Sequence, residues 1–349
     1  MRRRPDARPS AVRRPAGVLR PVAAVASACL LLAGCAADLP QPIPGATPAV
    51  PPPVLTIGQA DGVLDAIGSA VTTSDAALSA VGLEARVSGP ALASRTAEYA
   101  ASTATAGAKG LTALQFDAQT LIVPTTQGWP RTQFVISEQP DDLTSPRLLV
   151  LQQASARSGY TLWGWARLLP GVEMPATATP EVGSTAVPLD SAELVVSPTD
   201  TVAHYADVLL NGDASAFVSQ FVAPDSYRAG IAGGRAPFAA IASQTAGTFT
   251  ETYAPVADQT FALSTADGGA LVVAAMTTTS ALTFSDASVV LPPELAAVSG
   301  GALAAGAELR NALNVTYADV VAFYVPPAAS AAQIQVLGAE HIRTSVTGS

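Results

Sequence analysis

Between Thr56 and Ala80 the apolar residues Ile57, Val63, Leu64, Ile67, Val71 and Leu78 recur at helical spacings, so one face of a helix is expected there. A second helix is predicted from Pro90 to about Ala106, and Pro90 suits a first turn because its missing N–H would have no partner there anyway. The pattern then changes. Leu114 to Val123, Arg131 to Ser137, Arg147 to Gln153 and Tyr160 to Leu169 read as strands, parted by signals such as Gly128-Trp129-Pro130. A stretch from Pro170 to Pro198 carries five prolines and breaks the chain into two parts of similar length.

Beyond that break the order recurs. Helices are predicted over about Thr201 to Leu210 and Ala214 to Phe221, capped by Asp200 and Asp213. Irregular or helical sequence continues to Thr245, and strands follow at Phe249 to Val256, Phe261 to Ser264, Ala270 to Thr283, Asn314 to Val325 and Ile334 to Ser345. Leu168-Leu169-Pro170 can be laid on Tyr324-Val325-Pro326, with Ala166 on Ala322. Helices first and antiparallel strands after, twice over, predict an α+β fold of two tandem domains, 56–172 and 198–349, joined by a linker at 173–197.

The first 34 residues hold seven of the 18 basic groups and one of the 27 acidic ones, so the rest of the chain carries a net charge of −15. Such an acidic body, with Lys109 as its one lysine, offers no large positive surface for phosphates and argues against nucleic acid as a partner. The Arg-rich start leads into the apolar run Val22 to Ala33, long enough for an export signal and too short to span a bilayer, which needs about 20 residues. It ends in Leu32-Ala33-Gly34-Cys35, which resembles the bacterial lipobox. That resemblance implies a signal peptide over 1–34, cleavage before Cys35 and lipid on its thiol. The other cysteine, Cys29, lies inside the signal, so no disulfide is expected. Seven prolines between Ala36 and Leu55 make 35–55 an extended tether of about 3.1 Å per residue. The expected location is the extracytoplasmic face of the cell membrane.

Little in the chain points to chemistry. There is no Gly-x-Ser-x-Gly, no Ser-x-x-Lys and no phosphate loop, and the two histidines, His204 and His341, stand 137 positions apart. With no thiol left after cleavage, neither a metal site nor a cofactor is expected. Asp207 lies one helical turn after His204 and could orient it as a base, although a polar surface pair is the commoner meaning of that spacing. Strand alternation places Trp163, Trp165 and Arg167 on one face, either as core or as the wall of a ligand pocket.

Two helices followed by a curved antiparallel sheet resemble the cystatin-like, or nuclear transport factor 2-like, architecture. The lipobox, the proline tether, Gly128-Trp129-Pro130-Arg131 and the run Leu162 to Gly171 resemble a group of actinobacterial lipoproteins of unknown function. What this implies is architecture and location, and no activity. The function expected on these grounds is a non-enzymatic binding or assembly module, anchored to the membrane through Cys35 and partnered by another envelope protein. The alternative is a small-ligand carrier or an enzyme working in the concave mouth of one domain.

Overall fold

The computed structural model describes residues 51–140, 143–285 and 287–349, all belonging to one compact unit. The signal segment, Cys35 and the tether as far as residue 50 lie outside the described residues. Helix α1 (Ile57–Ala77) starts at a reciprocal cap in which the Gln59 N–H donates to Thr56 Oγ1 and the Thr56 N–H donates to Gln59 Oε1. Its buried stripe is Ala60, Leu64, Ile67 and Val71, while Ile57 remains exposed. Helix α2 (Gly89–Ala104) has Pro90 in its first turn. Strands β1 (Ala118–Ile122), β2 (Arg131–Ser137), β3 (Arg147–Gln153) and β4 (Thr161–Leu168) then form an antiparallel meander.

The second half opens with α3 (Pro198–Asn211), which begins before the anticipated cap: Ser197 is the N-cap and accepts from the Asp200 N–H. The helix expected over 214–221 is two short 3-10 turns, and the long second helix is α4 (Ser226–Gln244), capped by Asp225. Four strands follow: β5 (Thr248–Ser264), β6 (Ala270–Thr283), β7 (Ala312–Val325) and β8 (Gln335–Gly348). β5 replaces two separate expected strands, with a break in register between Pro255 and Thr260. Each half therefore supplies two long helices and four strands of the main sheet, besides the short helix Pro293–Ala296 in the second, which makes β8, and not β7, the positional counterpart of β4. By position in the sheet, the overlay of 168–170 on 324–326 joins the last strand of the first half to the next-to-last of the second.

The two expected sheets are one. The order is β1-β2-β3-β4-β8-β7-β6-β5, a single curled antiparallel sheet in which the last strand of each half meets the other. The seam is short, with Leu168 opposite Gly338 and Arg167 opposite Ala339, extended by the Leu169 N–H donating to the Leu337 carbonyl at 2.9 Å. A Cβ on Gly338 would stand 2.9 Å from the Arg167 carbonyl oxygen, so only glycine allows this approach.

Alternation along the strands divides the core into two layers. The helix-facing layer packs α1 and α2 on β1–β4, with Leu149, Leu151, Leu162 and Trp165, and α3 on β5–β8, with Val321, Phe323 and Val336. The opposite layer lies inside the curl and draws on both halves: Phe134, Leu148 and Trp163 join Leu271, Val273 and Val320. Trp163 meets Phe261 edge-on there, ring centroids 4.8 Å apart.

This shared layer has a measurable consequence. Trp163→Ala should cost about 3–5 kcal/mol, as for other large-to-small core changes. All three tryptophans lie in the first half, so their fluorescence and the far-UV signal of the whole chain should lose that stability together, in one urea transition. Two transitions, of which only the fluorescent one moves, would show that the halves hold separate cores.

Candidate functional site

The seam sets which side chains share the helix-facing surface. Arg167 and Ala339 pair directly on it, and His341 lies two residues beyond Ala339 on the same face. In the β7–β8 ladder Asp319 is opposite His341, and in the β5–β6 ladder Glu251 is opposite Ser280. Helix α4 runs over these strands and leaves a cavity of about 380 Å3. Ile231, Phe238, Leu169, Pro170, Tyr317 and Ala339 supply most of its apolar lining, and Arg167, Ser226, Tyr227, Glu251 and His341 its polar groups.

At the centre is Asp319, with no exposed surface. Its Oδ2 accepts from the Thr278 hydroxyl at 2.6 Å, and its Oδ1 accepts from the Tyr227 hydroxyl at 3.2 Å and from His341 Nδ1 in a short contact. A buried carboxylate is costly unless its lone pairs are used, and three donors use them here. Burial, and after it the charge of Asp319, push the Tyr227 phenol well above its ordinary value, so it stays protonated and donates. The His341 ring is fixed by that bond and by stacking on Tyr317, centroids 4.0 Å apart. With Nδ1 bonded to Asp319, the other ring nitrogen, Nε2, has no hydrogen-bond partner among the described residues.

A second clamp holds α4 further along. Arg235 Nε donates to Glu251 at 2.5 Å and its Nη1 to the Leu209 carbonyl at 3.0 Å, while the Ser280 and Tyr253 hydroxyls donate to Glu251. On the far side of Tyr317 and His341 lies another hollow, lined by Glu98, Lys109, Glu294 and Arg343 together with Gly234 and Phe238, which it shares with the first.

The candidates read from the sequence go elsewhere. His204 stacks on Phe217 and its Nδ1 bonds Gln220 Oε1 at 2.8 Å, whereas Asp207 accepts from Ser215 and Asn211, so the expected pair does not form. Trp163 and Trp165 do not share a face. A bulge opposite Val150 and Leu151 turns Trp163 into the curl and leaves Trp165 and Arg167 on the helix side. Trp165 is core: it lies under buried Arg95, and its indole N–H donates to Glu340 at 3.0 Å. Burial raises the Glu340 carboxyl above its ordinary value, opposed by Arg147. Of the face read as ligand or core, Arg167 alone lines the cavity. Cys35 lies outside the described residues. Among the described residues no group of three His, Cys, Asp or Glu side chains converges as a metal site.

His341 and Asp319 were not singled out as a pair, but a signal existed. Strands at 314–325 and 334–345 joined as a hairpin centred on Ser330 place position 319 opposite 341. Residues 51–348 match the domain of unknown function family DUF8094. The chain belongs to that family. The DUF8094 match crosses both halves and the linker between them, so the seam and the cavity lie inside a single family unit. No curated protein and no solved structure is significantly similar to the chain.

Asp319→Ala would strand three donors at once and should cost about 3–5 kcal/mol in urea or thermal unfolding. Asp207→Ala, at the partly exposed site of the abandoned pair, should cost about 1 kcal/mol. Equal losses would deny Asp319 its central place.

Proposed function

We propose that this protein is an extracytoplasmic binder of small molecules, held to the membrane by lipid on Cys35, with the cavity under α4 as its binding site. One observation carries the reading: a mostly apolar cavity of about 380 Å3 on which a few fixed polar groups converge. Ligand sites commonly have that make-up, at about 300–1,000 Å3. This was the alternative reading of the sequence, and the cavity is what moves it ahead of the assembly module. The resemblance to actinobacterial lipoproteins and the lipobox at Cys35 support the location. Among the described residues no helix is long and apolar enough to cross a membrane, so the lipid is the anchor proposed.

The make-up of α4 supports its role as the cover. Gly230, Gly233, Gly234 and Pro237 all stand inside the helix, and of its 19 residues only Ile231 and Ala242 are buried. Such a helix can loosen more readily than a well-packed one, which would give ligands a way in.

Two experiments test the two parts. The neutral dye N-phenyl-1-naphthylamine should bind saturably to the full-length protein, and Gly234→Leu should abolish that binding. Gly234 lines the cavity and a Cβ there meets nothing within 4 Å, so a leucine can be placed at the cavity wall without a clash, and the unfolding midpoint should hold or rise because glycine is about 1 kcal/mol less favourable than alanine inside a helix. Undiminished binding in Gly234→Leu would place the ligand elsewhere. For the anchor, mature wild type should carry lipid mass and partition into detergent, and Cys35→Ala should do neither while remaining folded. A mature wild type without lipid mass would refute the anchor.

A further inference from the structure

Resting on that reading of the cavity, we infer that its ligand is an organic anion with an apolar body, its acid group held between the Arg167 guanidinium and His341 Nε2. The two side chains come from different halves of the chain. Arg167 is opposite Ala339, so Arg167 and His341 are diagonal neighbours on one face of the seam, a relation that sets Cα atoms about 7–8 Å apart and leaves room for a small acid between the side chains. Both line the cavity.

Each has donor capacity there that no group among the described residues takes up. The Arg167 guanidinium makes no hydrogen bond or ion pair among the described residues, and Glu340, an acid that feels its charge, is already engaged by Trp165 and Arg147. His341 uses Nδ1 on Asp319 and leaves Nε2 open. Guanidinium and imidazolium are suited to a carboxylate, sulfonate or phosphate, and Ile231, Phe238 and Leu169 suit the rest of an amphipathic molecule. The acidic body, at −15 beyond residue 34, repels anions in general, so an anion would bind where cations converge.

The proton balance follows. Nδ1 donates to Asp319, so Nε2 can donate to an anion only after gaining a proton. Either the anion binds with uptake of one proton from solution, or the neutral acid enters and passes its proton to Nε2. Both routes end with Arg167 and His341 positive, Asp319 and the ligand negative. The other groups facing His341 are Tyr317 on β7, with Arg343 over its ring, and Tyr227 on α4; Glu251 on β5 is neutralised by Arg235; Glu98, Lys109 and Glu294 face it across the adjoining hollow.

The test uses full-length protein and two dyes of similar ring system, the anion 1-anilinonaphthalene-8-sulfonate and neutral N-phenyl-1-naphthylamine, followed by fluorescence titration. Wild type should favour the sulfonate by about ten-fold or more, and Arg167→Gln and His341→Gln should each remove about ten-fold of that preference, the worth of one hydrogen bond to a charged group. The neutral dye should change by less than about two-fold, a factor too small for the loss of such a bond. Arg167 is exposed, so Arg167→Gln carries the test even if His341→Gln folds poorly. Equal binding of both dyes by wild type, unchanged in Arg167→Gln, would overturn the anion and leave the ligand cavity standing. If wild type binds neither dye, the cavity reading falls and the anion with it.

Discussion

Two residue pairs between β4 and β8 hold the rest of the structure in its arrangement. Without Leu168 on Gly338 and Arg167 on Ala339 there would be two four-stranded sheets, each with an unpaired inner edge. Strand edges left open are free to pair with other chains, and joining the two edge to edge closes them along the seam. The join also lets the sheet curl until Trp163 of one half reaches Phe261 of the other, so the inner layer becomes common to both. Gly338 is the physical requirement for this, because any side chain there would meet the Arg167 backbone. A glycine that weakens a strand in isolation is kept here for the approach it permits.

The helix face shows a different balance. Intrinsic propensity disfavours α4, with three glycines at about 1 kcal/mol each and an interior proline at about 3 kcal/mol. Polar clamps and a little apolar contact hold it: the Asp225 cap, itself bonded by Tyr205, the Tyr227 bond to Asp319, and Arg235 on Glu251. Tertiary contact therefore decides in favour of the helix, yet only Ile231 and Ala242 of it are buried, so it covers the sheet without filling the space beneath it. The cavity is what this leaves. A leucine-rich helix would have filled the same space and removed it.

What the sequence made legible follows the same physics. Three strands of the first half, β2 to β4, were readable to within a residue, because Pro and Gly bound them and their apolar content is high, while β1 starts four residues later than expected. Helix α4 was unreadable as one helix because its glycines and proline argue locally against the contacts that hold it. Trp163 and Trp165 were assigned to one face by strict alternation, and one bulge reversed one of them. Counting β5 as two strands shifted the comparison of the halves by one element, which hid the meeting of last strand with last strand. Arg167 was picked for its neighbours, and the structure places it in the lining of the cavity. His341 was read only as one of two histidines far apart in the chain, since its partner Asp319, with Thr278 and Tyr227 on that carboxylate, is adjacent to it only through sheet register and the position of α4.

The order of the sheet suggests how such a site could arise. Strands run β1 to β4 inward from one edge and β5 to β8 inward from the other, which is the order that two copies of one unit would give if docked through their last strands. In a duplicated chain the docked strands lie across from themselves, and any residue near the junction acquires a neighbour that its own unit never had. Arg167 comes from the first unit, and His341 with its Asp319 support from the second. Neither half contains the cavity's full polar set, so the binding chemistry proposed for this protein belongs to the junction, and divergence between the halves at 167 and 341 would be the means by which it was acquired.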